Sequence, residues 1–410
     1  MNCCNLSRGN HVTSKGNREM WLVLGSFVLA VVSSSAVGNI YYVDLDGGAG
    51  AFTSIQAAID AADTDDEIIV RPGTYLEAIN FNGKAIRLAS SDGPEATTID
   101  GTGHCHVVQC VSGEGPSTVL KGFTITGGKA DKLAYLGDRG AGMLNVGSSP
   151  TVTNCIFSGN MTREGGGMYN EDSSLTITNC TFTSNGTPVN SSSSRGAGML
   201  NLNSSIKVTN CTFRRNSARS GGAMYNYRSS LTVTNCSFSR NTATGFGGAI
   251  CNVVDSRLTV VNCSFSDNEV MRAGGILKRN DTGGGGGIFS DIRSSAKVAN
   301  CILWGGKPNE LACPGGVTTV TVNWSNVQGG WDGPGGNNIA VDPLFVDSRK
   351  GDLRLKPESP CINVADDASA QASTDLGGSP RIMKGVDMGA FEAQWPGHVV
   401  GRNYVTDAYR

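Results

Sequence analysis

The sequence predicts an all-β chain wound as a right-handed parallel β-helix, with an N-terminal capping helix and a C-terminal cap. Three observations carry this. The first is a phrase that recurs between residues 140 and 304. It reads GAGMLNVGSSPTVTNCIFSGN, GGGMYNEDSSLTITNCTFTSN, GAGMLNLNSSIKVTNCTFRRN, GGAMYNYRSSLTVTNCSFSRN, GGAICNVVDSRLTVVNCSFSDN and a degenerate GGGIFSDIRSSAKVANCILWG. A repeat of this length marks a stacked architecture, because each unit carries an apolar face that only its neighbours can bury.

The second observation is where the spacing varies. From the Met or Ile of the glycine phrase to the next cysteine, the step is 12 residues for Met143–Cys155, Met168–Cys180, Met199–Cys211 and Met224–Cys236. It is 13 for Ile250–Cys263 and Ile288–Cys301. From cysteine to the following asparagine (Asn160, Asn185, Asn216, Asn241, Asn268) it is always 5. Every large length change therefore falls between that asparagine and the next glycine pair. One corner of each rung accepts insertions, notably 186–195 and 269–285, and the rest is fixed.

The third is period-two alternation. Three places before each cysteine stand Val152, Ile177, Val208, Val233, Val260 and Val298. Five before stand Pro150, Leu175, Ile206, Leu231, Leu258 and Ala296, and two after stand Phe157, Phe182, Phe213, Phe238, Phe265 and Leu303. The residues between are mostly Thr, Ser, Lys and Arg, so alternate side chains enter a core. The Asn before each cysteine breaks the alternation at a corner, where Asn tolerates the left-handed conformation. Parallel crossovers of this kind are right-handed.

Before the repeats, Ile40 to Val43 reads as a strand. Residues 53–62 (TSIQAAIDAA) read as a helix, with Thr53 and Gln56 as a capping box and Ile55, Ala58, Ile59 and Ala62 on one face. This helix is expected to cover the open end of the stack, whose unpaired edge would otherwise invite other strands. Short apolar runs at Glu67–Val70, Ala85–Leu88, Thr97–Ile99, His106–Gln109 and Thr118–Ile125, between glycine and proline turns, are the first irregular rungs. Val317–Asn323 and Val327 form a last strand pair.

The chain has 410 residues, is 39% hydrophobic and carries a formal charge of −2, which argues against a nucleic-acid binder. Its 56 glycines, about twice the ~7% norm, sit in the repeats and serve turns and close packing. Arg8, Lys15 and Arg18 precede an apolar run from Trp21 to Val32 and small residues from Ser33 to Gly38, the pattern of a cleaved export signal. Translation starts at Met1 or Met20. The expected organisation is a signal peptide (1–38), an N-terminal cap with first rungs (39–127), regular rungs (128–304), last rungs with a C-terminal cap (305–392) and a tail (393–410). The mature chain is expected outside the cell or on its surface, with no integral membrane span.

Thirteen cysteines in an exported chain suggest disulfides. The six repeat cysteines, however, occupy one place per rung. Rungs lie ~4.8 Å apart, and a bridge would pull Cβ atoms to ~3.8 Å. They are expected as a buried column of free thiols. Cys105 with Cys110, and Cys313 with Cys361, are candidate bridges.

The phrases GGGMYN, GGAMYN and GGAICN with FSGN, FTSN, FRRN, FSRN and FSDN resemble the GGA-[ILV] and F-x-x-N repeats of polymorphic outer-membrane proteins. Three further stretches resemble secreted right-handed parallel β-helix repeat proteins, the pectate-lyase-like solenoids. They are IYYVDLDGG…FTSIQAAIDAA…PGTYLE, NCILWGG…SNVQGG…DPLFVD and PESPCI…TDLGGSPRI…VDMGAFE. The resemblance spans roughly residues 40–392 and implies a surface or adhesin-like role. It departs from the outer-membrane family in lacking a C-terminal translocating barrel, which favours simple secretion.

Fold analogy raises polysaccharide lyase and hydrolase activity, which needs clustered carboxylates or a histidine phrase. The four histidines are His11, within the expected export signal, His398, in the tail, and His104 and His106, which flank Cys105 with no acidic partner nearby in sequence. No metal-ligand spacing appears. No metal or cofactor is implied, Ca²⁺ alone being left open, and no catalytic residue is assigned. What recurs is a basic residue ahead of the glycine phrase: Arg139, Arg163, Arg195, Arg219 and Arg272, four or five residues before Met143, Met168, Met199, Met224 and Ile276. Asp138 and Glu164 dilute this stripe. Tyr169 and Tyr225, beside inward methionines, are expected to point outward next to it. Guanidinium pairs with carboxylate or sulfate, and an aromatic face stacks on a sugar. The expectation is a binding or scaffolding protein whose partner is an acidic polysaccharide or surface glycan. The alternative is a polysaccharide lyase or glycoside hydrolase acting on a uronate-rich polymer. Asn170, Asn201, Asn226 and Asn252 are expected to form a ladder rather than a ligand site.

Overall fold

The computed structural model describes residues 38–48, 50–103, 106–129, 138–187, 193–271, 284–291, 293–314 and 318–393. Residues 1–37, all but the last of the expected export signal, and His104, Cys105, Arg272, Ile276, His398 and the tail from 394 lie outside the described residues.

Among the described residues the chain coils through three long sheets of twelve, ten and nine strands. A representative rung places Thr151–Thr153 in the twelve-stranded sheet, Ile156–Ser158 in the ten-stranded sheet and Met168–Glu171 in the nine-stranded sheet. Each strand pairs in parallel with its counterparts one rung before and after. Like therefore stacks on like: Val152 on Ile177 and Val208, Phe157 on Phe182 and Phe213, Met143 on Met168 and Met199. The five phenylalanine rings from Phe157 to Phe265 lie 4.6–5.0 Å apart and within 8° of parallel. This column, with the valines, methionines and cysteines, fills the core.

Corners are set by residues that accept positive φ. The asparagine before each cysteine does so at Asn154, Asn179, Asn210, Asn235, Asn262 and Asn300, with φ between 50° and 55°. The next residue, cysteine, points inward. All six repeat cysteines are buried and free, as the rung spacing requires. Cys211 Sγ accepts the Cys180 N–H at 3.3 Å, and the pattern repeats up the column. Burial pushes the thiols of Cys155, Cys180, Cys236 and Cys301 well above their ordinary range, so they stay protonated. The Cys313–Cys361 bridge does not form. Cys361 is buried, where Asn326 Nδ2 lies 3.1 Å from its sulfur, while Cys313 is exposed. Cys110 is also free and buried.

The N-terminal helix spans Ile55–Ala61 and buries Ile55, Ala58 and Ile59 against the first rungs. Its cap is Ser54, whose hydroxyl accepts from Ala57 N, not Thr53. Glu77 completes the cap from another rung: its carboxylate accepts the Ile55 and Gln56 N–H groups and the Ser54 hydroxyl. Gln56 instead reaches Asp60 and Asn80. A carboxylate at a helix start also suits the helix dipole. At the other end, Lys84 Nζ donates to the carbonyls of Ile59, Asp60 and Ala62.

Residues 341–393, within the expected C-terminal cap, run back along the flank of the ten-stranded sheet. Val341 O accepts from Asn326, Asp366 exchanges bonds with Asn300, Ala390 N donates to Ser264, and Thr374 O accepts from Asn235. Ile302 joins Phe345, Leu353, Leu355, Cys361 and Met388 in a separate apolar cluster. Under this segment the sheet presents Ser237, Ser239, Ser264 and Ser266, all buried. The end of the main core is met by Trp331, which packs against it from the last loop.

Candidate functional site

The variable corner is pinned at both ends. On one side the F-x-x-N asparagines Asn160, Asn185, Asn216, Asn241 and Asn268 are buried and joined amide to amide at 3.0–3.2 Å. On the other, Gly140, Gly165, Gly196, Gly221, Gly247 and Gly285 hold φ between 54° and 67°. A Cβ at Gly196 would stand 2.4 Å from the Met199 carbonyl, so no side chain fits there. The corner's exposed residues are thereby presented at a fixed place in each rung.

Between these pins the register sorts the arginines into two columns. Arg139, Glu164, Arg195, Ser220 and Phe246 are successive partners along the stack. One residue earlier in each rung come Asp138, Arg163, Ser194, Arg219 and Gly245. The expected single stripe is thus split, and both columns mix signs. Arg139 lies 3.3 Å from Glu164 and 3.3 Å from Glu171, Arg163 lies 2.8 Å from Asp138, and Arg195 lies 3.9 Å from Glu164. These partly exposed pairs are each worth roughly 0–1 kcal/mol. Four arginines (139, 163, 195, 219) against three carboxylates (138, 164, 171) leave a local charge of +1. Arg219 is exposed, with no carboxylate within 4.0 Å among the described residues. Arg272 falls outside the described residues. Ile276 does too; the described strand that joins the methionine column next is Ile288–Asp291, paired with Ile250–Val253.

The tyrosines correct one expectation. Tyr169 and Tyr225 point away from the core, but they are not exposed faces: Tyr169 is 0% and Tyr225 8% accessible. With Leu144, Leu200, Cys251 and Phe289 they form an apolar layer on the outside of the nine-stranded sheet. The corner folds over this layer. Arg139 lies over the Tyr169 ring and Arg195 over the Tyr225 ring, each 5.2 Å from the centroid. The Tyr169 hydroxyl donates to Glu171 at 3.0 Å. Burial raises both tyrosines above their ordinary value. Burial also raises Glu164, although Arg139 and Arg195 pull the other way.

The open aromatic face belongs to a residue that sequence reading passed over. Phe246 is 48% accessible, and its ring centre lies 4.6 Å from that of Phe289 at a 33° tilt. Its signal was the register: it occupies the place that holds Arg139 and Arg195 in other rungs.

Of the expected ladder, Asn170, Asn201 and Asn226 are joined amide to amide at 2.8–2.9 Å and fully buried, and Asn145 extends it by one rung. It breaks before Asn252: Asn226 Nδ2 and Asn252 Oδ1 have no partner, and the Asn252 amide reaches Ser290 and the Ser295 carbonyl. Among the described residues no group of three His, Cys, Asp or Glu side chains could hold a metal. His106 Nδ1 lies 3.0 Å from the Gly140 carbonyl oxygen. No helix among the described residues is long and apolar enough to cross a membrane.

Three solved structures illustrate what the chain is similar to. A pectate lyase, Pel9A, is 16% identical with a TM-score of 0.45, covering 88% of this chain and 97% of its own. A rhamnogalacturonan lyase is 13% identical with a TM-score of 0.38, covering 84% and 99%. A pectin methylesterase from carrot is 15% identical with a TM-score of 0.36, covering 64% and 84%. No curated protein matches the chain. Residues 139–327 match the family model described as a right handed beta helix region. That match and the three parallel sheets of its coil identify the fold as a right-handed parallel β-helix.

Proposed function

We propose that this is an exported or cell-surface β-helix that binds an acidic polysaccharide along its variable corner, as a binding or scaffolding protein. The observation that carries this reading is the pairing of Arg219 and Phe246 on adjacent rungs. Both are exposed, and Ser220 and Phe246 are register partners. An unpaired guanidinium beside an open ring offers an acidic sugar both of its contacts, a charge-assisted hydrogen bond and a stacking surface. The neighbouring guanidiniums of Arg163 and Arg195 sit in ion pairs that an incoming carboxylate or sulfate can exchange with at small cost. The test is titration of the full chain with polyuronate, a sulfated glycan and a neutral glucan at two salt concentrations. Arg219→Ala and Phe246→Ala should each weaken acidic-glycan binding about tenfold, or ~1.4 kcal/mol. Binding that ignores both substitutions, or that fails to weaken with salt, sinks the reading.

One observation favours a polysaccharide lyase or hydrolase instead. Glu164 is partly buried between Arg139 and Arg195, and its carboxyl is raised. Such a group can carry a proton next to a bound uronate. Release of unsaturated, ultraviolet-absorbing products from polyuronate, lost in Glu164→Gln, would establish that reading over the first.

A further inference from the structure

A second polar concavity lies at the opposite edge of the nine-stranded sheet, where each rung turns into the twelve-stranded sheet. It is an open groove of about 380 Å³ that crosses four rungs, from Asp172 to Arg257. Three rung spacings of ~4.8 Å make it ~14 Å long, parallel to the coil axis. Its floor is the buried serine ladder. Ser173, Ser204 and Ser229 each donate to the carbonyl two residues back and accept an N–H from the rung before. The floor is rigid and has no hydroxyl to spare.

The walls differ from the floor. On one side Ser174, Ser205 and Ser230 are exposed in register, and none of their hydroxyls has a protein acceptor among the described residues. Facing them, Asp172, Asn203 and Arg228 occupy the positive-φ corner position, with φ between 50° and 51°. That backbone conformation directs one exposed side chain per rung to the groove's rim. At the far end Arg228 lies over the Tyr227 ring at 5.2 Å, and Arg257 follows Ser230 in register. Neither guanidinium has a carboxylate within 4.0 Å among the described residues; Asp255, which lines the same end of the groove, is held by Arg293 through two bonds of 2.7 and 2.8 Å and attracts Arg228 and Arg257 only from farther off.

We propose that this groove is a separate binding site for a short linear oligosaccharide bearing an anionic group. A groove lined by hydroxyls, an amide and charges, with no large apolar wall, suits a polyol rather than an apolar ligand. Seryl hydroxyls both donate and accept, as sugar hydroxyls do. The unpaired Arg228 and Arg257 take the carboxylate or sulfate. Of the two carboxylates that line the groove, Asp255 is offset by Arg293, whereas Asp172 at the other end repels an anion and accepts from a hydroxyl. The ligand therefore lies with its acidic unit towards Arg257. This site shares its ligand class with the proposed function but no residue with the variable corner.

The test is arginine-directed labelling of the folded full chain with phenylglyoxal, read by peptide mass spectrometry. The probes are a galacturonate trisaccharide, a sulfated disaccharide and a neutral maltotriose. Protection of Arg228 and Arg257 by an acidic probe, and not by maltotriose, supports the site; the two acidic probes distinguish carboxylate from sulfate. Arg228→Ala with Arg257→Ala should lower affinity for the protecting probe about tenfold. Ser205→Trp, which fills the middle of the groove, should abolish protection without moving the melting temperature. Protection of Arg219 alone overturns this proposal and leaves the corner reading standing. Protection of Arg228 and Arg257 without Arg219 does the reverse. Protection of neither, or equal protection by maltotriose, overturns the groove assignment.

Discussion

Arg381 is wholly buried and donates to the side chain of Asn235 at 2.7 Å, across 146 residues of sequence. Asn235 is one of the left-handed corner asparagines of the coil. The same guanidinium lies 3.4 Å from Glu392. One residue thus ties the C-terminal segment to the middle of the stack and favours the charged form of Glu392, which burial pushes the other way. Removing it opens a cavity and leaves the buried Asn235 side-chain oxygen without its donor. Arg381→Ala should cost about 3 kcal/mol, seen as a lower melting temperature. Limited proteolysis should then cut first within 341–393. A uniform loss of protection across all rungs would contradict this local role.

Glu310 is 3% accessible, accepts only the Gly306 N–H, and leaves its second oxygen without a partner. It stands in for an absent asparagine, since Gly306 holds the place five after Cys301. Burial pushes Glu310 up to about 7 and Glu392 up to about 8. Both are raised above the unfolded value, so their contribution is complete below about 4.5. It is lost as pH rises from there through about 7 and 8. Stability measured by denaturant titration should fall over that window. Glu310→Gln, which keeps the acceptor, should remove part of the fall and stabilise the protein at pH 8 by about 2–3 kcal/mol. An unchanged pH profile in that variant would refute the assignment.

Asn216 sits mid-ladder. Its amide donates to the Phe182 carbonyl and to Asn241, and its oxygen accepts from the Asn185 backbone and side chain. Asn216→Ala removes four buried hydrogen bonds, although Asn241 Oδ1 keeps the residue-216 backbone N–H and Asn185 Nδ2 keeps the Phe157 carbonyl, and should cost about 3 kcal/mol. Thermal melting should show Asn216→Ala well below the exposed control Lys207→Ala, which should be near neutral.

Among the ten described cysteines only Cys313 is exposed. Alkylation of the native protein should label Cys313 within minutes and spare the six column thiols until unfolding, because all six are buried out of reach of the reagent. Rapid labelling of Cys211 or Cys236 in the native state would show that the column is open.

Much of the coil was legible in the chain. A fixed 12-residue step from Met168 to Cys180 and a 5-residue step from Cys180 to Asn185 leave one place for each strand and turn. The asparagine before each cysteine had to be left-handed, because it breaks a period-two pattern that resumes on both sides. The variable corner was legible as a place and not as a surface. Arg163 and Arg195 stand five and four residues before their methionines, and this one-residue difference puts them in different columns. Glu164 consequently shares a column with Arg139 and Arg195 and neutralises them.

The sequence by itself determined whatever repeats: the parallel coil, its buried thiol and phenylalanine columns, and its two asparagine ladders. Each depends on contacts between equivalent positions one rung apart, so periodicity encodes it. Only the tertiary structure decided what covers the outside of that coil. Tyr169 points outward by strand alternation and is still buried, because the corner folds its guanidiniums over the ring. Residues 341–393 lie along the flank because Arg381 meets Asn235 and Ala390 meets Ser264, contacts 146 and 126 residues apart that follow no period. A repeat specifies its own neighbours. It carries no information about which non-repeating segment will pack against them.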